Sequence, residues 1–311
     1  MRRIRLESHR IHSWKRMIYA IICFMSVLKY LDNLEDLSGK KVLIAGGTAG
    51  IGLSIVKQLL YKHADVIVLA RNEDKFNKVK SDLLTSYPQG SIGFIKYDQN
   101  DNQSILKATQ KIVSHHLDFY ALILNAGLIQ GKKNFTITDG YPTAIKTNYV
   151  GLAVLLKGFV PLLKESQRII IQGSLGAGLC FGKIRTLKEQ KPRMFRQYFI
   201  SKAGVEALFY YYNKQESVAP GFYLVEPGIT NSDIIRDFPR FIRFLGKIVL
   251  RLFSHSPDKA ALTAMKALQS DMEKGTYIVP RGFCTYCGYP KIKSFPKSRR
   301  REYLVDMINQ K

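Results

Sequence analysis

Cysteine is scarce in this chain of 311 residues. The four cysteines, Cys23, Cys180, Cys284 and Cys287, are too few and too unevenly spaced for a disulfide framework, which favours a reducing compartment. Cys284 and Cys287 form a C-x-x-C pair, but no second cysteine or histidine pair lies nearby at zinc spacing. We therefore expect no metal site and no disulfide-rich scaffold.

The N-terminal region contains no apolar run long enough to span a bilayer. Its apolar segment, residues 17–28 (MIYAIICFMSVL), has 12 residues, whereas a membrane-spanning helix needs about 20. No small-x-small cleavage site follows before Lys29. The segment is a membrane-association element, a helix packed on the domain, or an extension upstream of a true start at Met17 or Met25. We expect a cytoplasmic protein, and the first of these alternatives would make it peripheral to, or anchored in, a membrane.

Acidic residues are also scarce, with 24 Asp and Glu against 48 Lys and Arg, giving a formal net charge of +24. Much of the excess lies at the two ends of the chain, and no recognised nucleic-acid-binding module is present. We therefore do not expect a nucleic-acid partner. An anionic membrane surface or an acidic ligand fits the charge.

The region between Ser38 and about Lys291 has no repeat, low-complexity block or proline-rich linker. We predict one catalytic domain over 38–290, an N-terminal segment over 1–37 and a basic C-terminal tail over 291–311. Apolar runs without period-2 alternation indicate strands buried on both faces. They predict an α/β fold, a single Rossmann-like doubly wound parallel sheet with helices on both faces. The predicted strands are 41–45, 65–70, 92–97, 119–124, 168–172 and 222–225.

A glycine-rich turn, AGGTAGIG, follows the first predicted strand and opens a predicted helix over about 50–61. Such glycines let the backbone approach a pyrophosphate, whose charge the N–H groups and dipole of the helix N-terminus attract. The turn therefore predicts a dinucleotide site. Its candidate contacts are Gly46, Thr48, Gly50, Ile51 and Gly52.

Cofactor preference should be set at the end of the second strand, where an acid would bind the 2′-hydroxyl of NAD. Here Ala70 is followed by Arg71. A guanidinium can bind a 2′-phosphate through two hydrogen bonds and stack on the adenine. The sequence therefore favours NADP(H). The alternative is that Arg71 is a solvated surface residue that binds no cofactor.

These motifs resemble the short-chain dehydrogenase/reductase family between about Lys40 and Lys291. The glycine motif matches that of the family except that Ala45 replaces a threonine, and Leu124 replaces the first asparagine of an Asn-Asn-Ala-Gly element. The resemblance implies four further cofactor contacts. They are Asp98 at the adenine and Asn125, Ala126 and Gly127 beneath the cofactor.

The resemblance also implies a catalytic tetrad of Asn148, Ser174, Tyr198 and Lys202. Tyr198 would be the general acid/base that accompanies hydride transfer between the nicotinamide and a carbinol carbon. A neighbouring ammonium, four residues later on the same helical face, is expected to lower the pKa of the phenol. Ser174 would hold the substrate oxygen, Lys202 would also bind the nicotinamide ribose, and Asn148 would support a water chain to Lys202.

A second Tyr-x-x-x-Lys pair, Tyr210 and Lys214, lies twelve residues further on in the same helix. Twelve residues correspond to about 120° around a helix, so the two pairs cannot share a site. We prefer Tyr198 and Lys202 because they open the helix after the serine-bearing strand and precede the small residues Ala203 and Gly204. Tyr210 is expected to pack or to face solvent.

The later part of the sequence resembles the retinol-dehydrogenase-like branch, through GTYIVPRGF and GYPK and the long interval between Ser174 and Tyr198. PGITNS resembles the loop of the family over the nicotinamide and adds Pro227, Gly228, Ile229 and Ser232 as cofactor contacts. The basic amphipathic stretch 234–253 falls where the family has its substrate lid, so it would cover a lipophilic substrate or also lie on an anionic membrane.

We expect an NADP(H)-dependent oxidoreductase that interconverts a carbonyl and an alcohol on a small lipophilic molecule. The alternative is a catalytically weak NADP-binding scaffold or sensor, suggested by Ala45 and Leu124. The sequence does not give the substrate, the physiological direction or the oligomeric state.

Overall fold

The structure, a computed structural model, describes residues 21–131, 134–230, 254–282, 285 and 287–309. In these residues one eight-stranded sheet has the order β10-β9-β8-β7-β4-β1-β2-β3, and β5 and β6 form a separate two-stranded hairpin. Neighbouring strands of the large sheet are parallel except β9 and β10. The strands are β1 (Lys41–Ala45), β2 (Asp65–Ala70), β3 (Ile92–Lys96), β4 (Ala121–Leu124), β5 (Ile137–Thr138), β6 (Tyr141–Pro142), β7 (Arg168–Gln172), β8 (Gly221–Val225), β9 (Tyr277–Pro280) and β10 (Pro290–Lys293).

Helices connect the parallel strands, as right-handed crossovers require. They are α1 (Gly50–Tyr61), α2 (Glu73–Ser86), α3 (Asn102–His115), α4 (Thr143–Ile145), α5 (Gly151–Phe159), α6 (Met194–Lys214), α7 (Pro257–Ala267) and α8 (Tyr303–Asn309). A π-helical segment, Lys146–Val150, joins α4 to α5, and 3₁₀ turns occupy Val160–Leu162, Leu175–Leu179 and Lys297–Arg299.

The sheet separates two hydrophobic cores because its strands alternate between faces. On β1, Leu43 and Ala45 belong to one core, and Val42 and Ile44 belong to the other. All four side chains are fully buried. The predicted doubly wound α/β fold with helices on both faces is therefore confirmed.

The first described residues form a helix over 21–32 that presents one apolar face to the protein. Val27, Leu31 and Leu37 are buried in the core that also contains Ile44. The start of the helix leaves large apolar side chains exposed, namely Ile21, Ile22, Phe24 and Met25. Among the described residues, no helix is both long and apolar enough to cross a membrane.

The chain after residue 290 also contacts the sheet. Strand β10 pairs with β9 through the register Pro290↔Pro280, and Leu304 of α8 is buried in a core. The predicted division into segments 1–37, 38–290 and 291–311 stays a prediction, and described residues from all three parts reach the same sheet or its cores.

Candidate active site

A cleft of about 400 Å³ lies at the carboxyl ends of the parallel strands. This is the edge at which open α/β sheets bind ligands. The cleft brings together fourteen of the predicted site residues. They are Gly46, Thr48, Ile51, Gly52, Arg71, Asp98, Asn125, Ala126, Gly127, Ser174, Tyr198, Lys202, Pro227 and Gly228.

The glycine-rich turn has the backbone that its sequence predicts. Gly46 and Gly50 have φ angles of +84° and +54°, which favour glycine. A Cβ atom on Gly52 would collide with the carbonyl oxygen of Gly46. Helix α1 has no side-chain cap and no acidic residue in its first turn, so its free N–H groups suit an anion. Gly50 itself shapes the turn and does not line the cleft.

Asn125 and Asp98 hold the two loops beside this turn. The Asn125 Nδ2 donates to the Gly46 carbonyl at 2.8 Å, which fixes the end of β4 against the glycine-rich turn. Asp98 accepts a hydrogen bond from the Asn100 N–H at 2.9 Å, while Ser104 ties the backbone of Asp98 at 2.8 Å. The exposed Arg71 lines the cleft directly after β2.

Tyr198 and Ser174 meet on the opposite wall of the cleft. The Tyr198 hydroxyl donates to the Ser174 Oγ at 3.1 Å. Ser174 follows β7 and caps the 3₁₀ turn Leu175–Leu179, where its Oγ also accepts from the Gly176 N–H at 3.1 Å. The two hydroxyls can therefore share one substrate oxygen between them.

Lys202 lies one helical turn after Tyr198 on α6, and its Nζ donates to the Gln172 carbonyl at 3.0 Å. Burial lowers the pKa of Lys202 to about 8, and the carboxylates of Glu206 and Glu226 oppose this lowering. A lysine with this pKa exchanges its proton close to neutral pH.

The pKa of Tyr198 moves in the direction opposite to our expectation. Burial raises it, while the hydrogen bond with Ser174 lowers it and the charge of Glu226 raises it further. The expected lowering by Lys202 is not found, because desolvation of the phenolate dominates and the ammonium of Lys202 is directed to Gln172. The phenol of Tyr198 is therefore protonated at neutral pH.

Asn148 stands outside the lining of the cleft, in the π-helical segment Lys146–Val150. Its side chain accepts from the Leu128 N–H and donates to the Leu128 carbonyl, each at 2.8 Å, and it also donates to Ser201 at 3.0 Å. Asn148 thus ties the loop after β4 to helix α6. A π-helical turn at this position is typical of functional sites.

The second Tyr-x-x-x-Lys pair lies away from the cleft, as predicted. Tyr210 stacks on Phe295 and lies under the guanidinium of Arg300, while Lys214 pairs with Glu302. Tyr210 is therefore a packing residue.

The loop after β8 places Pro227 and Gly228 in the cleft, and the carbonyl of the neighbouring Ile229 accepts from the His255 N–H at 3.0 Å. The His255 ring, whose pKa burial lowers, also contacts the Pro227 carbonyl at 2.5 Å. Ser232, the basic stretch 234–253 and Cys284 lie outside the described residues.

The sequence did not predict several residues that line or support the cleft. Glu206 could have been found from the sequence, because it continues the four-residue spacing of Tyr198 and Lys202. It is an acidic residue in a mostly apolar part of the predicted helix. Glu226 and Arg299 pair with each other across 73 residues, and no local pattern reveals such a pair. Further lining residues are Ala49, Gln99, Leu128, Thr147, Gln172 and Thr230.

A family model described as short chain dehydrogenase matches residues 40–238, which is more than half of the chain. The chain belongs to the short-chain dehydrogenase family. It is an NAD(P)-dependent oxidoreductase that acts on CH–OH groups.

Two curated relatives lie in the predicted retinol-dehydrogenase-like branch. Human polyprenol dehydrogenase is 26% identical over 238 residues, covering 72% of this chain and 71% of its own. Retinol dehydrogenase 12 of Mus musculus is 26% identical over 246 residues, covering 76% of each chain. The predicted family and branch are confirmed.

Solved structures share the fold of this dehydrogenase. A Mycobacterium paratuberculosis protein without a characterised function superposes with a TM-score of 0.70 at 16% identity, covering 89% of this chain and 93% of its own. An NADPH-bound short chain oxidoreductase from Pseudomonas aeruginosa, with an atypical catalytic center, gives a TM-score of 0.59 at 19% identity, covering 78% and 95%. These neighbours confirm the Rossmann-like architecture.

Proposed function

We propose that this dehydrogenase is an NADP(H)-dependent enzyme that interconverts a carbonyl and an alcohol on a lipophilic substrate. The observation that carries the proposal is the contact of 3.1 Å between the hydroxyls of Tyr198 and Ser174, in one cleft with Lys202 and the glycine-rich turn. The neutral phenol can give a proton to the oxygen of a carbonyl. Ser174 can hold that oxygen at the same time.

The cleft fits a dinucleotide. A Cβ atom on Gly46 would lie 2.9 Å from the Cα of Ala126, and the equivalent atom on Gly52 would meet the Gly46 carbonyl, so only glycine permits the tight turn that dinucleotide-binding loops use. Gly46, Thr48, Ile51 and Gly52 would hold the phosphates. NADP(H), when bound, would supply or accept the hydride.

The residues of this chain would control the proton and the orientation. Tyr198 donates its proton during carbonyl reduction and recovers one from solvent or takes one from the alcohol in the reverse direction. Lys202, charged below pH about 8, can bind ribose hydroxyls. Asn148 donates hydrogen bonds to the Leu128 carbonyl and to the Ser201 hydroxyl, and these bonds fix the loop after β4 relative to helix α6.

Turnover tests the proposal directly. The full chain should consume NADPH when it is supplied with a panel of long-chain aldehydes and ketones. Tyr198→Phe should lower kcat by about 10²- to 10⁴-fold, as expected for loss of a general acid. Tyr210→Phe is the matched control and should retain wild-type kcat. Activity that survives in Tyr198→Phe would overturn the catalytic assignment.

Arg71 is our candidate for NADP selection, because it lines the cleft where an acid would bind the ribose of NAD. Arg71→Ala should lower kcat/KM for NADPH by about 10- to 100-fold, the value of charge-assisted hydrogen bonds, and leave NADH little changed. Lys78→Ala, exposed on α2, is the control. Equal losses with both cofactors would contradict a role in selection.

Apolar side chains support a lipophilic substrate. Leu179, Phe181 and Phe195 are exposed, Phe181 by 79%, and they lie on the segments that carry Ser174 and the start of α6. The names of the relatives, retinol dehydrogenase and polyprenol dehydrogenase, point to long apolar alcohols. Phe181→Ser should raise the KM of a long-chain aldehyde and not that of a short one. Equal KM changes for both aldehydes would argue against this contact.

We also propose that the N-terminal segment associates with an anionic membrane surface. The exposed apolar side chains at the start of the helix over 21–32 follow six basic residues among the first 16. Such a combination binds the interface of anionic lipids. The chain should cosediment with phosphatidylserine vesicles, and the double variant Ile22→Asp, Met25→Asp should not. Undiminished cosedimentation of the variant would overturn the proposal.

A further inference from the structure

Three buried charged side chains lie behind the catalytic residues. Arg299 donates its Nε to a carboxylate oxygen of Glu206 at 2.8 Å, and its Nη2 contacts the carboxylates of both Glu206 and Glu226. Both glutamates are fully buried, and the Arg299 side chain is only 11% exposed. Breaking a buried ion network leaves uncompensated charge, so its members hold each other firmly in place.

Each partner of Arg299 belongs to an element that carries catalytic or cofactor residues. Glu206 lies four residues after Lys202 on the same face of α6, and Glu226 directly precedes Pro227 of the cofactor loop. Arg299 also donates to the Ser174 carbonyl at 3.4 Å and to the Tyr277 hydroxyl of β9 at 3.0 Å.

The residues that follow Arg299 continue this pattern. Arg301 donates to the Cys180 carbonyl at 2.8 Å and to the Ala177 carbonyl at 3.3 Å, both in the segment after Ser174. The carbonyl of Leu304 accepts from the hydroxyl of Tyr149, the neighbour of Asn148, at 2.5 Å. Residues 299–304 thus contact every element that holds a member of the tetrad.

We propose that residues 299–304, the carboxyl-terminal clasp, hold the catalytic residues in register, with Arg299 as the central positioning residue. The clasp does not contact substrate or cofactor. It positions the catalytic residues through its contacts with Glu206, Glu226 and the turn after Ser174. This inference rests on the proposed carbonyl reductase activity. It assigns a catalytic purpose to a segment outside the matched family region, which ends at residue 238.

The charges of the clasp also reach Lys202. Glu206 and Glu226 raise the pKa of Lys202 against its burial, and Arg299 opposes the rise that burial gives to the pKa of Glu206. Counted together, Lys202 and Arg299 balance the two carboxylates. The remaining titratable groups around this cluster are the phenols of Tyr198 and Tyr277 and the guanidinium of Arg301.

The first experiment removes part of the clasp without burying a bare charge. Arg301→Ala in the full chain should lower kcat by about 10- to 100-fold, the cost of misplacing a catalytic group, and leave the Kd of NADPH unchanged. Lys297→Ala is the matched control, because Lys297 is exposed and lies outside residues 299–304. An unchanged kcat in Arg301→Ala would contradict the clasp.

The second experiment follows the pH at which kcat/KM for NADPH falls on the alkaline side. Arg299→Met removes the charge that keeps Glu206 ionised, and Glu206→Gln removes the carboxylate itself, so both variants should shift that fall to lower pH. Arg299→Lys should restore the wild-type profile in part. A merely structural role would lower kcat/KM without shifting the pH of the fall in either variant.

The outcomes separate the two proposals. Wild-type turnover with unchanged kcat in Arg301→Ala and unshifted pH profiles would overturn the clasp and leave the proposed function standing. Absence of turnover in the wild-type chain would overturn the proposed function and the catalytic purpose of the clasp with it. Should the Arg299 variants fail to fold, Arg301→Ala decides.

Discussion

Gly204 lies against the ring of Tyr149, and a Cβ atom at this position would overlap that ring. The close approach places helix α6 directly on the π-helical segment that carries Asn148. A single missing side chain therefore sets the distance between two parts of the tetrad. Gly204 is one of the two small residues that follow Lys202 in the sequence, and the structure shows that its packing partner is Tyr149.

Gly204→Ala should lower the free energy of unfolding by about 1–3 kcal/mol, because overpacking forces the ring of Tyr149 to move. Thermal unfolding followed by circular dichroism measures the effect. The matched control is Gly158→Ala on α5, where an added Cβ meets only Thr109 at 4.0 Å. The control should be neutral or stabilising by about 0.5–1 kcal/mol, as alanine is in helices. Equal melting temperatures for both variants would contradict the assigned contact.

The pKa of Lys202 predicts how the activity depends on pH. Its pKa is lowered to about 8, so the ammonium is present below this pH and is lost above it. The ammonium attracts the anionic cofactor proposed for this cleft, so kcat/KM for NADPH, which reports groups of the free enzyme, should fall as pH rises through about 8. A profile that stays flat well above this pH would show that Lys202 keeps its proton.

At the scale of elements, the helix over 21–32 belongs to the folded body of the protein through one face. Leu31 is 1% exposed and packs in the core beneath the sheet, whereas Ile22 on the same helix is 60% exposed. Leu31→Ala should destabilise the protein by about 2–5 kcal/mol, as cavity-forming core substitutions do. Ile22→Ala should change the stability little. Urea unfolding of both variants checks the contrast, and similar losses for the two would show that the helix is not docked as described.

The central elements could be predicted from the sequence because they are local. Strands β1, β2 and β7 and helix α1 begin and end at the predicted residues, since continuous apolar runs and the glycine turn determine them. β9 and β10 were not predicted as strands. β10 is an edge strand in which Lys293 is exposed, so it carries no apolar run, and its pairing with β9 is set by the loop between them.

The same argument explains what could be predicted of the site. Tyr198, Ser174 and the glycine turn lie in compact motifs, and the structure brings them into one cleft. The predicted lowering of the Tyr198 pKa was wrong. The pKa is raised, because it depends on burial by distant parts of the chain. The pairing of Arg299 with Glu206, 93 residues apart, depends on the fold itself.

At the scale of the whole molecule, the net charge of +24 attracts polyanions to the protein. NADPH is strongly anionic at neutral pH, so kcat/KM for NADPH should fall as ionic strength rises. An uncharged aldehyde at saturating NADPH is the internal control, and its kcat/KM should change little. A flat salt dependence for NADPH would mean that the positive charge does not face the path to the cleft.

The contacts around His255 have a consequence for how such enzymes diversify. Thr230 and His255 form a parallel bridge, and the His255 N–H donates to the Ile229 carbonyl, so the two ends of the segment between them lie side by side. Closing a loop on fixed ends costs only about 0.6 kcal/mol more for each doubling of its length. Evolution can therefore lengthen, shorten or exchange the intervening segment at little thermodynamic cost to the rest. Such an exchange leaves the residues of the cleft in place, so the substrate can change while the reaction stays the same.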